Sequence, residues 1–240
     1  LGGLGLITSV NFKVQPFVID PHALFLETDL QNWQNAVGLL QSRRIPLDWI
    51  QAVSASAEGN RILLGAGFSG NPERRSRIAN ELQDVFGEKS FMLADGDDSP
   101  EWPCLPGKER FNGFLPAYLE HWQINQPGLH LQASLPTADI LELSLESLSA
   151  WDPRMIIHPV GGDLHLFLGE QDGDRQKKFI QTLLKCLPRQ SSNMRLLRSA
   201  PEVGFEHLGH FAKPPGYSLS CRLKQHLDSE ELFDAPYYRM

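Results

Sequence analysis

NRILLGAGFSGNPERRSRIANELQDVFG, residues 60–87, and GDLHLFLGEQDGDRQKKFIQTLLKCL, residues 162–187, follow one order of residue types. Each starts with a short apolar run, passes a small polar turn, and continues with charged and apolar residues at helical spacing. In the first copy Asn71 reads as a helix cap, Pro72 fits the first turn, and Gly87 is the stop.

Working outward, the neighbours of the two copies also correspond. Ahead of the first lie a strand-like HALFLE (22–27) and DLQNWQNAVGLLQSR (29–43). The latter is a helix with Asp29 as cap and Trp33, Val37 and Leu40 on one face. IPLDWIQAV (45–53) is expected to pair with residues 60–68 across SASAEG, and KSFMLA (89–94) follows as a strand. Around the second copy come a strand LHLQASL (129–135) and a helix PTADILELSLESL (136–148). RMIIHPV (154–160) and DLHLFLGE (163–170) make a hairpin about Gly161-Gly162, and NMRLL (193–197) closes the unit after the helix 174–187. Each half, about 22–94 and 129–197, therefore reads β-α-β-β-α-β. Such an internal repeat bears directly on architecture. The expected fold is α+β: two ferredoxin-like halves merged into one antiparallel sheet covered by helices. Between them DGDDSPEWPCLPGKER (95–110) reads as an irregular excursion and FLPAYLEHW (114–122) as helical. After the repeat, residues 196–218 read as loop and 218–228 as a short helix.

Bulk properties narrow the function. The 240 residues carry 22 Lys and Arg against 29 Asp and Glu, a net charge of −7, without a Lys/Arg cluster. Nothing there would displace counterions from phosphates, so nucleic acid is not an expected partner. No window approaches the ~18 consecutive apolar residues of a membrane-spanning helix. Cys104, Cys186 and Cys221 are odd in number and far apart. They form neither a disulfide framework nor a metal or cluster motif, which points to a reducing, cytoplasmic setting.

The two ends stand outside the repeat. GLGLITSVNFKVQP, with Gly3, Gly5, Leu6, Ile7, Thr8 and Pro16, resembles the segment that closes the FAD-binding domain in FAD-linked oxidases of the vanillyl-alcohol oxidase superfamily. Glycines there let backbone and its N–H groups approach a bulky cofactor. LKQHLDSEELFDAP (223–236) resembles the closing motif of the same family through Leu223, Lys224, Leu227, Asp228, Leu232 and Phe233. It departs at Ser229, where the family has Pro, and at Asp234-Ala235, where Asn-Pro is usual. RLLRSAP (195–201) followed by HFAKPPGYSLSCRLKQHLD is most similar to the FAD-binding subunit of bacterial glycolate oxidase.

The resemblance implies a division into residues 1–16 (last strand of an FAD-binding domain whose remainder lies upstream), a cap or substrate domain over 17–200, and a tail over 201–240 returning to the FAD domain. It implies FAD as cofactor, with Gly3, Gly5, Leu6, Ile7, Thr8 and Asp234 as contact candidates, and oxidation of glycolate to glyoxylate. Electrons would leave through a second flavin subunit and an iron–sulfur subunit, with peripheral attachment to the inner membrane through those partners. It assigns no catalytic base to this chain, which alone is expected to be inactive and not to retain the flavin. Two other readings stay open: oxidation of another 2-hydroxyacid such as D-lactate, and a non-enzymatic α+β assembly module.

Related 2-hydroxyacid dehydrogenases carry two metal-binding histidines at the interval of His158 and His165, with a Glu downstream for which Glu206 is the counterpart. On a hairpin, a separation of seven residues places the two histidines on opposite faces unless the glycine turn brings them together. The expectation is therefore two separate histidines and no metal. Asp95, Asp97 and Asp98 read as a solvated acidic loop. Arg74, Arg75 and Arg77, with Lys177 and Lys178 at matching places in the second half, read as exposed helix faces.

Overall fold

The computed structural model describes residues 22–29, 32–54, 61–87, 90–92, 128–143, 146–169, 172–187, 193–212 and 217–227. The expectations for 1–16, 95–110, 114–122 and 228–240 lie outside the described residues. The chain divides into two compact units, one of 1–17 with 213–240 and one of 18–212.

In the larger unit, β1 (His22–Asp29), α1 (Asn32–Arg43), β2 (Trp49–Ser54), β3 (Arg61–Phe68), α2 (Pro72–Phe86) and β4 (Ser90–Met92) form the first half. The second comprises β5 (Leu129–Ser134), α3 (Thr137–Glu142), a 3-10 turn (Glu146–Trp151), β6 (Arg154–His158), β7 (Asp163–Leu168), α4 (Gly173–Cys186) and β8 (Asn193–Arg198). In the smaller unit α5 spans Tyr217–Leu227.

The caps behave as their residues dictate. Asp29 Oδ1 accepts the Asn32 N–H at 2.7 Å, opening α1. Asn71 Oδ1 accepts the Arg74 N–H at 2.8 Å with Pro72 in the first turn, and Gly87 closes α2 at φ 73°. Asp172 does the same for α4, accepting the Arg175 N–H at 2.7 Å.

The strands form one eight-stranded sheet in the order β4-β1-β3-β2-β6-β7-β5-β8. Every described pairing is antiparallel. Within each half the order is fourth-first-third-second, and the two second strands meet in the middle. The repeat read from the sequence is thus a pseudo-twofold sheet joined at β2 and β6. That seam is short. Among the described residues, only Ala52↔Ile157 and Val53↔Ile156 are in register across it. It is extended at one end by Ser54, whose buried hydroxyl accepts the Met155 N–H at 2.7 Å.

Alternation sorts the side chains onto two faces. Leu24, Leu64, Ala52, Ile157, Leu166 and Leu131 point to one face and pack with Trp33 and Val37 of α1, Ile78 and Leu82 of α2, and Phe179 and Leu183 of α4. One continuous core therefore crosses the seam. Gln34 of α1 adds a polar link between the halves, donating to the Leu143 carbonyl at 3.2 Å.

Two expectations are corrected. The helix expected over 136–148 stops at Glu142, because Leu143 turns extended at φ −67°, ψ 118°. Leu143 and Leu148 are both buried, yet five residues along a continuous helix would set them roughly 140° apart. Breaking the helix lets both face the core. The loop expected over 196–218 contains 3-10 structure at Phe205–Ala212, kinked at Gly209 (φ 56°, ψ −133°). Its entrance is held by the buried Gln176, whose Oε1 accepts the Ala200 N–H at 2.9 Å, and by buried Val203 and Leu208.

Candidate functional site

Among the described residues of the larger unit, no helix packs on the second face of the sheet. Its residues come from the alternate positions: Phe25 on β1, Leu63 on β3, Val53 on β2, Ile156 on β6 and Phe167 on β7 are all buried. Within this apolar field lies a polar stripe. Gln51 of β2, His158 of β6, His165 and Asp163 of β7, and His130 and Gln132 of β5 share the face across four neighbouring strands.

The turn 159–162 brings the two hairpin histidines to the same side, contrary to the expectation of opposite faces. Ile156 pairs with His165 and His158 with Asp163, so His158 and His165 stand two positions apart on one face. Their ring centroids are 5.8 Å apart, edge to face. The turn closes through the Gly162 N–H donating to the His158 carbonyl at 2.8 Å. Gly162 takes φ 78°, and a Cβ there would lie 2.3 Å from the Leu135 carbonyl oxygen. Only glycine fits.

His130 extends the stripe. Its Nε2 lies 3.2 Å from Nδ1 of His165, close enough to share one proton. Phe167 stacks on His130 at 4.2 Å between centroids. Gln51 Nε2 lies 3.2 Å from Nδ1 of His158. With the amide as donor, the proton of neutral His158 sits on Nε2, a buried atom without a hydrogen-bond partner among the described residues. Asp163 is anchored by Gln132 Nε2 at 3.2 Å and by the Ser134 hydroxyl at 2.8 Å, both on Oδ1.

Burial sets the charge of this stripe. It lowers His130 to about 4, helped by the neighbouring His165 and then Arg198. His165 is also lowered to about 4, by burial first and His158 second, with Asp163 opposing. Burial lowers His158 as well, against the pull of Asp163. All three imidazoles are neutral at neutral pH. Arg198 pairs with His130 across β5 and β8 and supplies the positive charge at this end of the stripe.

At the seam the stripe borders a cleft of about 370 Å³. One wall comes from the end of α1 and the start of β2, the other from the β6–β7 turn. Gln51 and His158 line it, with Arg44, Asp48 and Asp163 contributing charge.

Of the metal candidates, His158 and His165 are brought together but Glu206 is not with them. Glu206 lies on the segment after β8, exposed, with its carboxylate 3.3 Å from Nδ1 of His207. Among the described residues no three His, Cys, Asp or Glu side chains converge in metal-binding geometry. Gly3, Gly5, Leu6, Ile7, Thr8 and Asp234 lie outside the described residues, as do Asp95, Asp97 and Asp98. Arg77, exposed, pairs with Glu81 at 3.7 Å. Lys177, which pairs with Asp174 at 3.7 Å, and Arg75, which lies 2.6 Å from Nε2 of His22, are half-buried and depart from the expected exposed faces.

His130, Gln51, Gln132 and Arg198 were not singled out from the sequence. Their signal is the alternation itself. In LHLQAS the polar residues fall on every second position, and in DLHLFL Asp163 and His165 do the same.

No family model matches the chain, and no curated protein matches it. Among solved structures it is similar to a carbohydrate oxidase from Microdochium nivale in complex with a substrate analogue. The identity is 10%, the TM-score 0.49, and 92% of this chain and 55% of that one are covered. A xylooligosaccharide oxidase from Myceliophthora thermophila C1 in complex with xylobiose shares 12% identity at a TM-score of 0.49, covering 90% and 55%. A VAO-type flavoprotein from the same organism shares 11% at 0.47, covering 89% and 46%. The chain spans about half the length of these structures. No helix among the described residues is long and apolar enough to cross a membrane.

Proposed function

We propose that this chain forms the cap of an FAD-linked oxidoreductase whose substrate is a small 2-hydroxyacid, glycolate first. The observation that carries this is the polar stripe of neutral imidazoles set in a buried apolar field on the second face of the sheet. Water-poor surroundings strengthen each hydrogen bond there. The end motifs supply the rest: the candidate flavin contacts, Gly3, Gly5, Leu6, Ile7, Thr8 and Asp234, belong to the two strips whose sequences resemble FAD-linked oxidases. Bound FAD would act as the hydride acceptor.

The described residues would bind and orient. A neutral imidazole accepts or donates a hydrogen bond to a hydroxyl group without adding charge. Proton affinities as low as those of His130 and His165 suit them to aim a hydroxyl rather than to keep its proton. Arg198, at the His130 end, is the cation we assign to the substrate carboxylate. That pairing favours an acid over a neutral alcohol. Transfer of electrons to a second flavin subunit and an iron–sulfur subunit, and membrane attachment through them, belong to the same proposal.

The test is the visible spectrum of the full-length protein carrying this chain, followed anaerobically while glycolate, D-lactate or glucose is added. We expect flavin bands that bleach with glycolate and, more weakly, with D-lactate, and an Arg198→Gln variant with a KM raised about tenfold or more. A protein without flavin overturns the oxidoreductase reading and leaves an assembly module. Flavin bleached by glucose alone overturns the acid.

A further inference from the structure

The seam cleft goes beyond that reading and does not rest on it. Its volume of about 370 Å³ lies within the range of small-molecule sites. Both halves of the sheet contribute to it, so an occupant would touch each. The lining is unusual in its charges. Arg44 at the end of α1 and Asp48 just before β2 are exposed, and neither makes an ion pair among the described residues. Arg44 also holds φ 53°, a left-handed backbone that a residue with a Cβ adopts at a cost and that a helix end ordinarily gives to glycine. Across the cleft stands Asp163, fixed by Gln132 and Ser134 through one carboxylate oxygen. Leu40, Ile45, Leu47 and Val160 provide apolar wall.

One guanidinium and two carboxylates leave the lining with a net negative charge, which disfavours a simple anion. The same three groups match a ligand that carries both signs. We propose that the cleft binds a small zwitterion with an apolar side chain, an apolar free amino acid, with its carboxylate on Arg44 and its ammonium on Asp48 or Asp163. Charge-assisted hydrogen bonds of both kinds then form while the side chain covers apolar wall. The ligand would bridge the two halves where, among the described residues, they share two residue pairs in register.

Calorimetric titration of the purified chain tests this without any flavin, using free leucine, its hydroxyacid analogue leucic acid, and isoamylamine. Saturable heat is expected with leucine and at least about tenfold weaker binding of the other two, since each lacks one of the charges. Arg44→Gly removes the guanidinium while suiting the left-handed backbone, so the fold is kept; leucine should bind about tenfold more weakly. Asp48→Asn should weaken leucine but not leucic acid. Leucic acid binding as tightly as leucine, leucine binding unchanged in both variants, or no saturable heat with leucine would each overturn the proposal.

Discussion

Gly162 shows how much one residue decides. Its φ of 78° and the 2.3 Å approach of a Cβ to the Leu135 carbonyl oxygen exclude any side chain. Gly162→Ala should destabilise by about 2 kcal/mol or more, read as a fall in the urea midpoint, because both the backbone and the contact resist it. The same turn places His158 beside His165, so the variant should also alter the stripe. The histidines yield a pH prediction with a definite sign. An unfolded histidine titrates near 6.5, whereas His130 and His165 do so at about 4 in the fold. Between those values the unfolded chain binds more protons, so their contribution is complete above about pH 6.5 and is lost as pH falls toward 4. Thermal midpoints measured across that window should drop. A His130→Gln variant should drop less steeply; an equal slope would show that other groups set the acid limit.

At the scale of elements, the helix starts were readable and one helix length was not. A cap is local chemistry: Asn71 and Asp172 each accept a backbone N–H three residues on. Asn71→Ala and Asp172→Ala should each cost about 1 kcal/mol by chemical denaturation. The end of α3 is not local, since the demand that Leu143 and Leu148 both reach the core comes from the packed molecule. The stripe divides in the same way. His158 and His165 stand out in the chain, but which face each takes depends on the residues 159–162 that reverse it, and a hairpin's parity is set by its turn. His130 and Gln51 are inconspicuous until strand order puts β5 beside β7 and β2 beside β6. Strand neighbours separated by several elements are fixed by tertiary packing, and no short window contains that information.

For the molecule as a whole, the repeat was the informative feature, because two similar units predict a symmetric sheet before any contact is known. What the repeat does not reveal is how firmly the halves are joined. The shared core crosses the seam, but among the described residues the ladder there is two pairs long and leans on the Ser54 hydroxyl. Ser54→Ala would leave the buried Met155 N–H without its partner, at a cost of about 1–3 kcal/mol. Hydrogen exchange should then show β2 and β6 opening more readily than β3 or β7. Equal protection of all four strands would mean that packing, rather than the ladder, holds the halves together.

The short seam also has a consequence in time. Every other described pairing in the sheet joins strands of the same half, whereas β2 and β6 meet across about a hundred residues of chain, from Ala52 to Ile157. Closing so long a loop carries an entropic cost that only the completed junction offsets. Each half is expected to gather its own strands first, with the junction forming last. Folding rates should therefore respond little to Ser54→Ala, with unfolding accelerated instead, the signature of a contact made after the barrier has been crossed.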